Sequence, residues 1–474
     1  LFSFKALYEI ELLKAMVGGS ADIALSQVSA TLGKQLQPLE LASIQGRLSG
    51  KRQTSGFEVS THGLQFVTGD GLRWPGGNLR LQHRTAARAS PARSELTADR
   101  LDLAALSRIA KRLPLGEAAH NALRTYAPQG QVETLQATWQ GPFDAQGRYQ
   151  IKARIHGLAL GDTPATAASA STATIGLRGA ALEVEMTQAG GKATLRLREG
   201  ALLLPRIFED PVLALGKLDT QVHWQIDGTE NPRISVQVGE THFANADAQG
   251  QLRATWRTSD PKKSSSGARF PGVLELNGTL SRADGTRVHR YLPLVIPAEA
   301  RHYVRDGVLA GSASTVAFRV KGDLHDLPFN DPKQGEFRIA AQVQNATYAF
   351  VPPSVQPAGE LPWPALTGLS GELVFERASM QVIGASGQFT GARTVRISQA
   401  QTQIADLEHP VVEVSAQASG PLTEFLDIVK KSPIDGLIHH ALAQASGSGP
   451  AELQLNLRLP IDELHKSTVR GGVT

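Results

Sequence analysis

Arg148-Tyr149-Gln150-Ile151-Lys152-Ala153-Arg154-Ile155 is the stretch whose reading decides the fold. Tyr149, Ile151, Ala153 and Ile155 alternate with polar or charged neighbours. A period of two sends successive side chains to opposite faces of a strand, so the pattern predicts a strand with one apolar and one wet face. The same beat returns at Val222, Trp224, Ile226, at Val236, Val238, and at Val316, Phe318, Val320. It returns again at Phe337, Ile339 and at Leu453, Leu455, Leu457, Leu459. So many half-buried strands in series predict a mainly β chain built as a long antiparallel meander.

Strand candidates recur through 21–84, 131–160, 173–204, 214–281, 314–350, 368–416 and 451–459. Turn residues separate them. Asp144-Ala145-Gln146-Gly147 and Asp247-Ala248-Gln249-Gly250 read as the same four-residue turn, and Asp227-Gly228 and Asp284-Gly285 read as hairpin signals. Segments 161–172 and 258–268 read as loops, the second with Lys262-Lys263 as a solvated tip.

Three segments break the alternation with helical spacing of apolar residues. They cover 101–126 (Leu103, Leu106, Ile109, Ala110), 286–306 (Ala300, Tyr303, Val304) and 422–444 (Phe425, Ile428, Val429, Leu437, Ile438, Leu442). Each carries a central proline, Pro114, Pro293 or Pro433, that ends a first helix, and each is followed by an alternating strand. Helical pairs recurring between strand blocks at 1–100, 131–281, 314–416 and 451–474 read as an internal repeat. Such pairs either gate the apolar face or are local packing.

Hydrophobic residues make up 41% and charged residues 19%, which excludes a disordered chain, while aromatics are only 5%. The net charge of +4 is spread over polar strand faces. Without clustered cations there is no phosphate footprint, so no nucleic-acid partner is expected. The chain has no cysteine, which excludes disulfides and thiolate metal sites. No uncharged apolar run reaches the about 18 residues of a membrane-spanning helix. A start at Leu1-Phe2-Ser3-Phe4 and an end in the strand-like Val469-Arg470-Gly471-Gly472-Val473-Thr474 suggest an internal piece of a longer protein, with any anchor outside these residues.

Catalytic constellations are missing. The sequence holds no G-x-S-x-G, H-E-x-x-H, Walker A or strand-borne G-x-G-x-x-G motif. Asn245 to Gly250 resembles the start of a calcium loop, but Trp256 stands where the twelfth-position Glu would be, so a hairpin turn is the better reading. His439-His440 falls in the last helical segment, where adjacent side chains point about 100° apart and cannot share one metal. No metal or cofactor is expected, and binding is favoured over catalysis.

A sheet must hide its apolar face by closing on itself, by packing on a second layer or by holding something apolar. An outer-membrane barrel would want aromatic girdles that this sequence lacks. Periodicity alone leaves two architectures standing, a closed β core and an open trough whose second layer is acyl chains.

Further motifs carry a resemblance. They include Asp99-Arg100-Leu101-Asp102-Leu103-Ala104-Ala105-Leu106, Leu113-Pro114-Leu115, Ala127-Pro128-Gln129-Gly130 and Trp139-Gln140-Gly141. Arg290-Tyr291-Leu292-Pro293, Lys321-Gly322-Asp323-Leu324, Leu327-Pro328-Phe329, Gly335-Glu336-Phe337, Trp363-Pro364 with Leu366, and Gly371-Glu372-Leu373-Val374-Phe375-Glu376 follow in order. Together they resemble the YhdP family of proteobacteria, within the AsmA-like group that includes TamB. One departure is the Pro-rich stretch Val351 to Pro362, longer than is usual there.

The resemblance implies an elongated β-trough in an inner-membrane-anchored protein that crosses the periplasm. It would carry phospholipid between inner and outer membranes, with envelope proteins as possible partners at either end. Roughly twenty strands at about 4.8 Å each would stack to about 95 Å. The alternating aliphatics named above become the expected groove lining, and the family offers no catalytic residue. A structural scaffold for envelope assembly, with a dry core and no lipid, is the alternative.

Overall fold

The computed structural model describes residues 18–32, 36–87, 90–113, 117–141, 147–161 and 174–474. Most of the turn expected at 144–147, nearly all of the loop at 161–172 and the proline at 114 lie outside them. The chain divides into two compact units, Leu1–Pro205 with Pro211–Thr241, and Arg206–Asp210 with His242–Thr474.

The first unit is an antiparallel meander. It runs β1 (Gly18–Ala30), β2 (Leu39–Gln53), β3 (Gly56–Thr68), β4 (Arg73–Trp74), β5 (Leu79–Arg84), β6 (Arg93–Asp102), β7 (Gln129–Gln140), β8 (Arg148–Leu160), β9 (Gly176–Thr187), β10 (Gly190–Leu203) and β11 (Val212–Asp227). Each strand pairs with its neighbour in sequence, except that β4 and β5 together form one interrupted strand against β3. Among the described residues no ladder joins β11 back to β1, so the meander stays open. Strand β12 (Arg233–Ala244) follows β11 after a short loop that starts at Gly228, as the Asp227-Gly228 signal predicts. The Thr220 and Thr241 hydroxyls, 2.6 Å apart, connect these two strands.

Bulges bend the ladder. Between β2 and β3 the register slips where Gly63, at φ +57°, adds a residue opposite Gly46. A Cβ on Gly46 would come within 2.8 Å of the Leu64 backbone, so both chains need glycine there.

The second unit repeats the design with β13 (Ala248–Arg257), β14 (Val273–Asp284), β15 (Val308–Asp323), β16 (Gly335–Tyr348), β17 (Leu366–Glu376), β18 (Ser379–Phe389), β19 (Ala392–Ile404), β20 (Val411–Pro421), β21 (Pro450–Pro460) and β22 (Thr468–Val473). These again pair in sequence order, all antiparallel, with no described ladder from β22 to β13. The fold is the expected mainly β open antiparallel meander.

Helical segments interrupt it at three places. The first insertion holds α1 (Leu103–Ile109), a 3₁₀ turn and α2 (Glu117–Tyr126). Asp102 caps α1 by accepting a hydrogen bond from the Ala105 N–H at 2.8 Å. The second is not a pair of α-helices: a 3₁₀ helix (Gly285–Tyr291) precedes α3 (Ala298–Gly307). Asp284-Gly285 is therefore no hairpin, because the Asp284 carboxylate caps the Thr286 N–H and starts the 3₁₀ helix. The third insertion holds α4 (Leu422–Lys430) and only a four-residue α5 (Ile434–Leu437). The expected helix through Leu442 stops because His439 and His440 take φ of +54° and +59°.

The Asp247–Gly250 turn is also displaced. Ala248 already begins β13, and the turn is built by Asn245, whose side-chain oxygen accepts from the Asp247 and Ala248 N–H groups. Segment 258–268 is a loop as expected, with Lys262 and Lys263 exposed, and Ser259 and Ser264 bind Asp323 at the end of β15.

Candidate functional site

Directly paired residues in an antiparallel ladder share a face, so the register turns each alternating strand into part of a row running across strands. In the first unit one row reads Val59, Leu81, Leu96, Ala137, Ile151, Met186, Gly191, Trp224. The row beside it reads Thr61, Leu79, Ala98, Leu135, Ala153, Val184, Ala193, Val222. Ile155 continues through Leu182 and Leu195 to Thr220, and Tyr149 pairs with Trp139. Ile226 lies two residues beyond Trp224 on β11, and Val236 and Val238 lie half-buried on β12.

The second unit carries a row that reads Leu252, Gly278, Phe318, Ile339, Phe375, Met380, Ile404, Val412, Leu459. Its neighbour reads Gly250, Leu280, Val316, Ala341, Leu373, Val382, Thr402, Val414, Leu457, Val469. Val320 and Phe337 face each other one step along. Leu455 pairs with Ala416, and Leu453 with Ala418. The register thus brings together, within each unit, the residues that alternation singles out. It adds Leu81, Leu96, Met186, Leu252, Phe375, Met380 and Ile404, which carry the same period-two signal.

Opposite faces of the same strands are polar. Lys152, Glu185 and Lys192 form one such row, with Lys152–Glu185 at 2.8 Å and Lys192–Glu185 at 3.3 Å. The Lys152 ammonium, then that of Lys192, holds the Glu185 carboxyl below its ordinary range. Arg319–Glu336 at 3.0 Å and Arg338–Glu376 at 3.2 Å repeat the arrangement in the second unit. These exposed, solvent-screened pairs keep one face wet and contribute little to stability.

Burial varies along the apolar face, and Leu81, Leu96, Ala137 and Val316 are buried within the rows. Every member of the Leu252–Leu459 row is half-buried. At the margin, helices close the face. Ala105 and Ile109 of α1 pack with Leu39, Leu41, Ile44 and Phe66, and Phe425 and Ile428 of α4 pack with Val395, Ile397 and Ala418. Leu453 packs on the same buried cluster as that helix. Tyr303 of α3 donates to the Phe350 carbonyl and meets the hydroxyl of Tyr348, which continues the row Leu366, Phe389, Ala392 on that face. In the first unit a second closed cluster joins Leu81, Leu96, Ala137 and Trp139, flanked by Phe57 and Tyr149.

Polar groups on this face are few. His83 sits beside Ser94 at 3.0 Å, and burial pushes its imidazole pKa down. Asp406, Glu408 and His409 bring ligand atoms within 4.8 Å of one another on the exposed turn between β19 and β20. His440 pairs with Asp435 at 2.7 Å and not with His439.

The family model described as YhdP protein matches residues 14–474. This chain belongs to the YhdP family. The YhdP family is an AsmA-like, envelope-associated lipid-transport family and is not known as a family of enzymes. No curated protein and no solved structure matches the chain. Among the described residues no helix is long and apolar enough to cross a membrane.

Proposed function

We propose that the apolar rows carry phospholipid acyl chains, and that the chain serves as a passive conduit for phospholipid between inner and outer membranes. The observation that supports this reading most is the run of half-buried apolar side chains from Leu252 to Leu459, bounded by helices at its margin. Acyl chains would cover the rest of those side chains at about 25 cal/mol per Å² of apolar area, without directional contacts. Tyr149, Ile151, Ala153, Ile155, Val222, Trp224, Ile226, Val236 and Val238 line the first unit in this reading. Val316, Phe318, Val320, Phe337, Ile339, Leu455, Leu457 and Leu459 line the second, with Leu453 at its covered margin.

A periplasmic setting with an inner-membrane anchor follows from the same reading. The alternative, a structural scaffold with a dry core, is favoured by the closed cluster around Trp139. Mass spectrometry of lipid extracted from the purified chain separates the two. Stoichiometric phospholipid supports the conduit, and its absence from intact protein supports the scaffold.

A further inference from the structure

In each unit one aromatic member of the apolar rows is registered opposite a glycine: Phe318 opposite Gly278, and Trp224 opposite Gly191. A Cβ placed on Gly278 would fall 2.2 Å from Cζ and 2.6 Å from Cε2 of the Phe318 ring. One placed on Gly191 would fall 2.6 Å from Cζ2 of the Trp224 indole. The tip of each ring therefore occupies the space where the neighbouring strand's side chain would stand. Rings in that position lie across the sheet and do not project from it. Neither glycine has the positive φ that would otherwise explain its choice.

We infer that Gly278 and Gly191 are clearance-setting residues of the groove, each laying the facing aromatic ring flat so that an acyl chain can pass over it. This inference rests on the lipid reading above. A side chain at either position would lift the ring by about the depth of a methyl group or more, narrowing an apolar passage without adding a polar atom. Bulky rings at Phe318 and Trp224 then serve as floor and not as obstruction. That explains how these two large rings can sit in the lining without blocking it.

The test is a double-mutant cycle in the full chain. Gly278→Ala is made with Phe318 intact and in the Phe318→Leu background. The readout is crosslinking yield from a photoreactive residue at half-buried Val320, using vesicles of phosphatidylethanolamine and phosphatidylglycerol. The Gln251 carbonyl, 2.8 Å from the added Cβ, is present in both backgrounds and so cancels in the cycle. Gly278→Ala should lower the yield about tenfold with the ring present and less than about twofold without it. Equal losses in both backgrounds, or no loss with the ring present, would overturn the inference. Parent protein that captures no lipid would overturn the conduit reading itself. Should Gly278→Ala fail to fold, the same cycle on Gly191 and Trp224 decides.

Discussion

The hydroxyls of Tyr303 and Tyr348 lie 2.6 Å apart, tying α3 to the last residue of β16. Tyr303 also reaches the Phe350 carbonyl at 2.9 Å, so its single proton goes there and Tyr348 donates to Tyr303. Burial is the main cause that pushes both phenols above their ordinary range. Tyr348→Phe removes one hydrogen bond and should cost about 1 kcal/mol. Tyr303→Phe strands both the buried Tyr348 hydroxyl and the Phe350 carbonyl, and should cost about 2–3 kcal/mol. Urea unfolding midpoints check the order, and a larger loss for Tyr348→Phe would contradict the proton assignment.

A second strut joins the 3₁₀ helix to the turn before β13. The Asp247 carboxylate, with only 8% of its side chain exposed, accepts from Arg290 at 2.6 Å and from the Tyr291 hydroxyl at 3.0 Å. Arg290 also holds Asp210 at 2.9 Å. Arg290→Met leaves a buried carboxylate without its cation. The loss should fall between the about 1 kcal/mol of a surface pair and the about 3–5 kcal/mol of a buried one. Arg319→Met, on an exposed pair, should shift the thermal midpoint hardly at all.

Acid should destabilise the protein in two stages. Burial lowers the His83 pKa below its ordinary 6.5, so the unfolded chain takes up that proton first and stability falls as pH drops through 6.5. Depressed carboxylates act lower. Asp306 is held at about 2, chiefly by Arg305 and then by Ser354, so its contribution is present above 3.8 and is lost as pH falls toward 2. Stability measured from pH 7 to 5 should slope downward in the parent and flatten in His83→Gln. An unchanged slope in that variant would remove His83 from the account.

The apolar rows should be intolerant of charge while the opposite face tolerates it. Phe318→Asp or Ile339→Asp places a carboxylate between apolar neighbours and should interrupt lipid passage at normal protein level. Lys321→Asp, which faces the other way, should not. Normal transport in a stable Phe318→Asp protein would count directly against the conduit.

Much of this was legible in the sequence because a period of two is a local signal. The strands around Ile151, Trp224, Phe318 and Leu457 follow from alternation alone. Strand β6, within the block at 1–100 but beyond its strand candidates at 21–84, hides because polar Ser94 and the small Ala98 stand on its apolar face, where the His83 contact and tight packing accept them. The Asp284-Gly285 and Asp247–Gly250 readings missed for a different reason. Asp and Asn side chains cap backbone N–H groups in several geometries, and dipeptide composition does not say which one forms. His439 and His440 end a helix through positive φ values for which the sequence carries no special residue. The pairing of Gly278 with Phe318 depends on a register between residues 40 apart, which no local pattern encodes.

The most direct test of the central claim is photocrosslinking in cells at adjacent positions of β15. A photoreactive residue in place of Phe318 should yield phospholipid adducts, and one in place of Arg319 should yield none. Adducts at both positions, or at neither in well-expressed protein, would contradict the claim that the apolar face carries lipid.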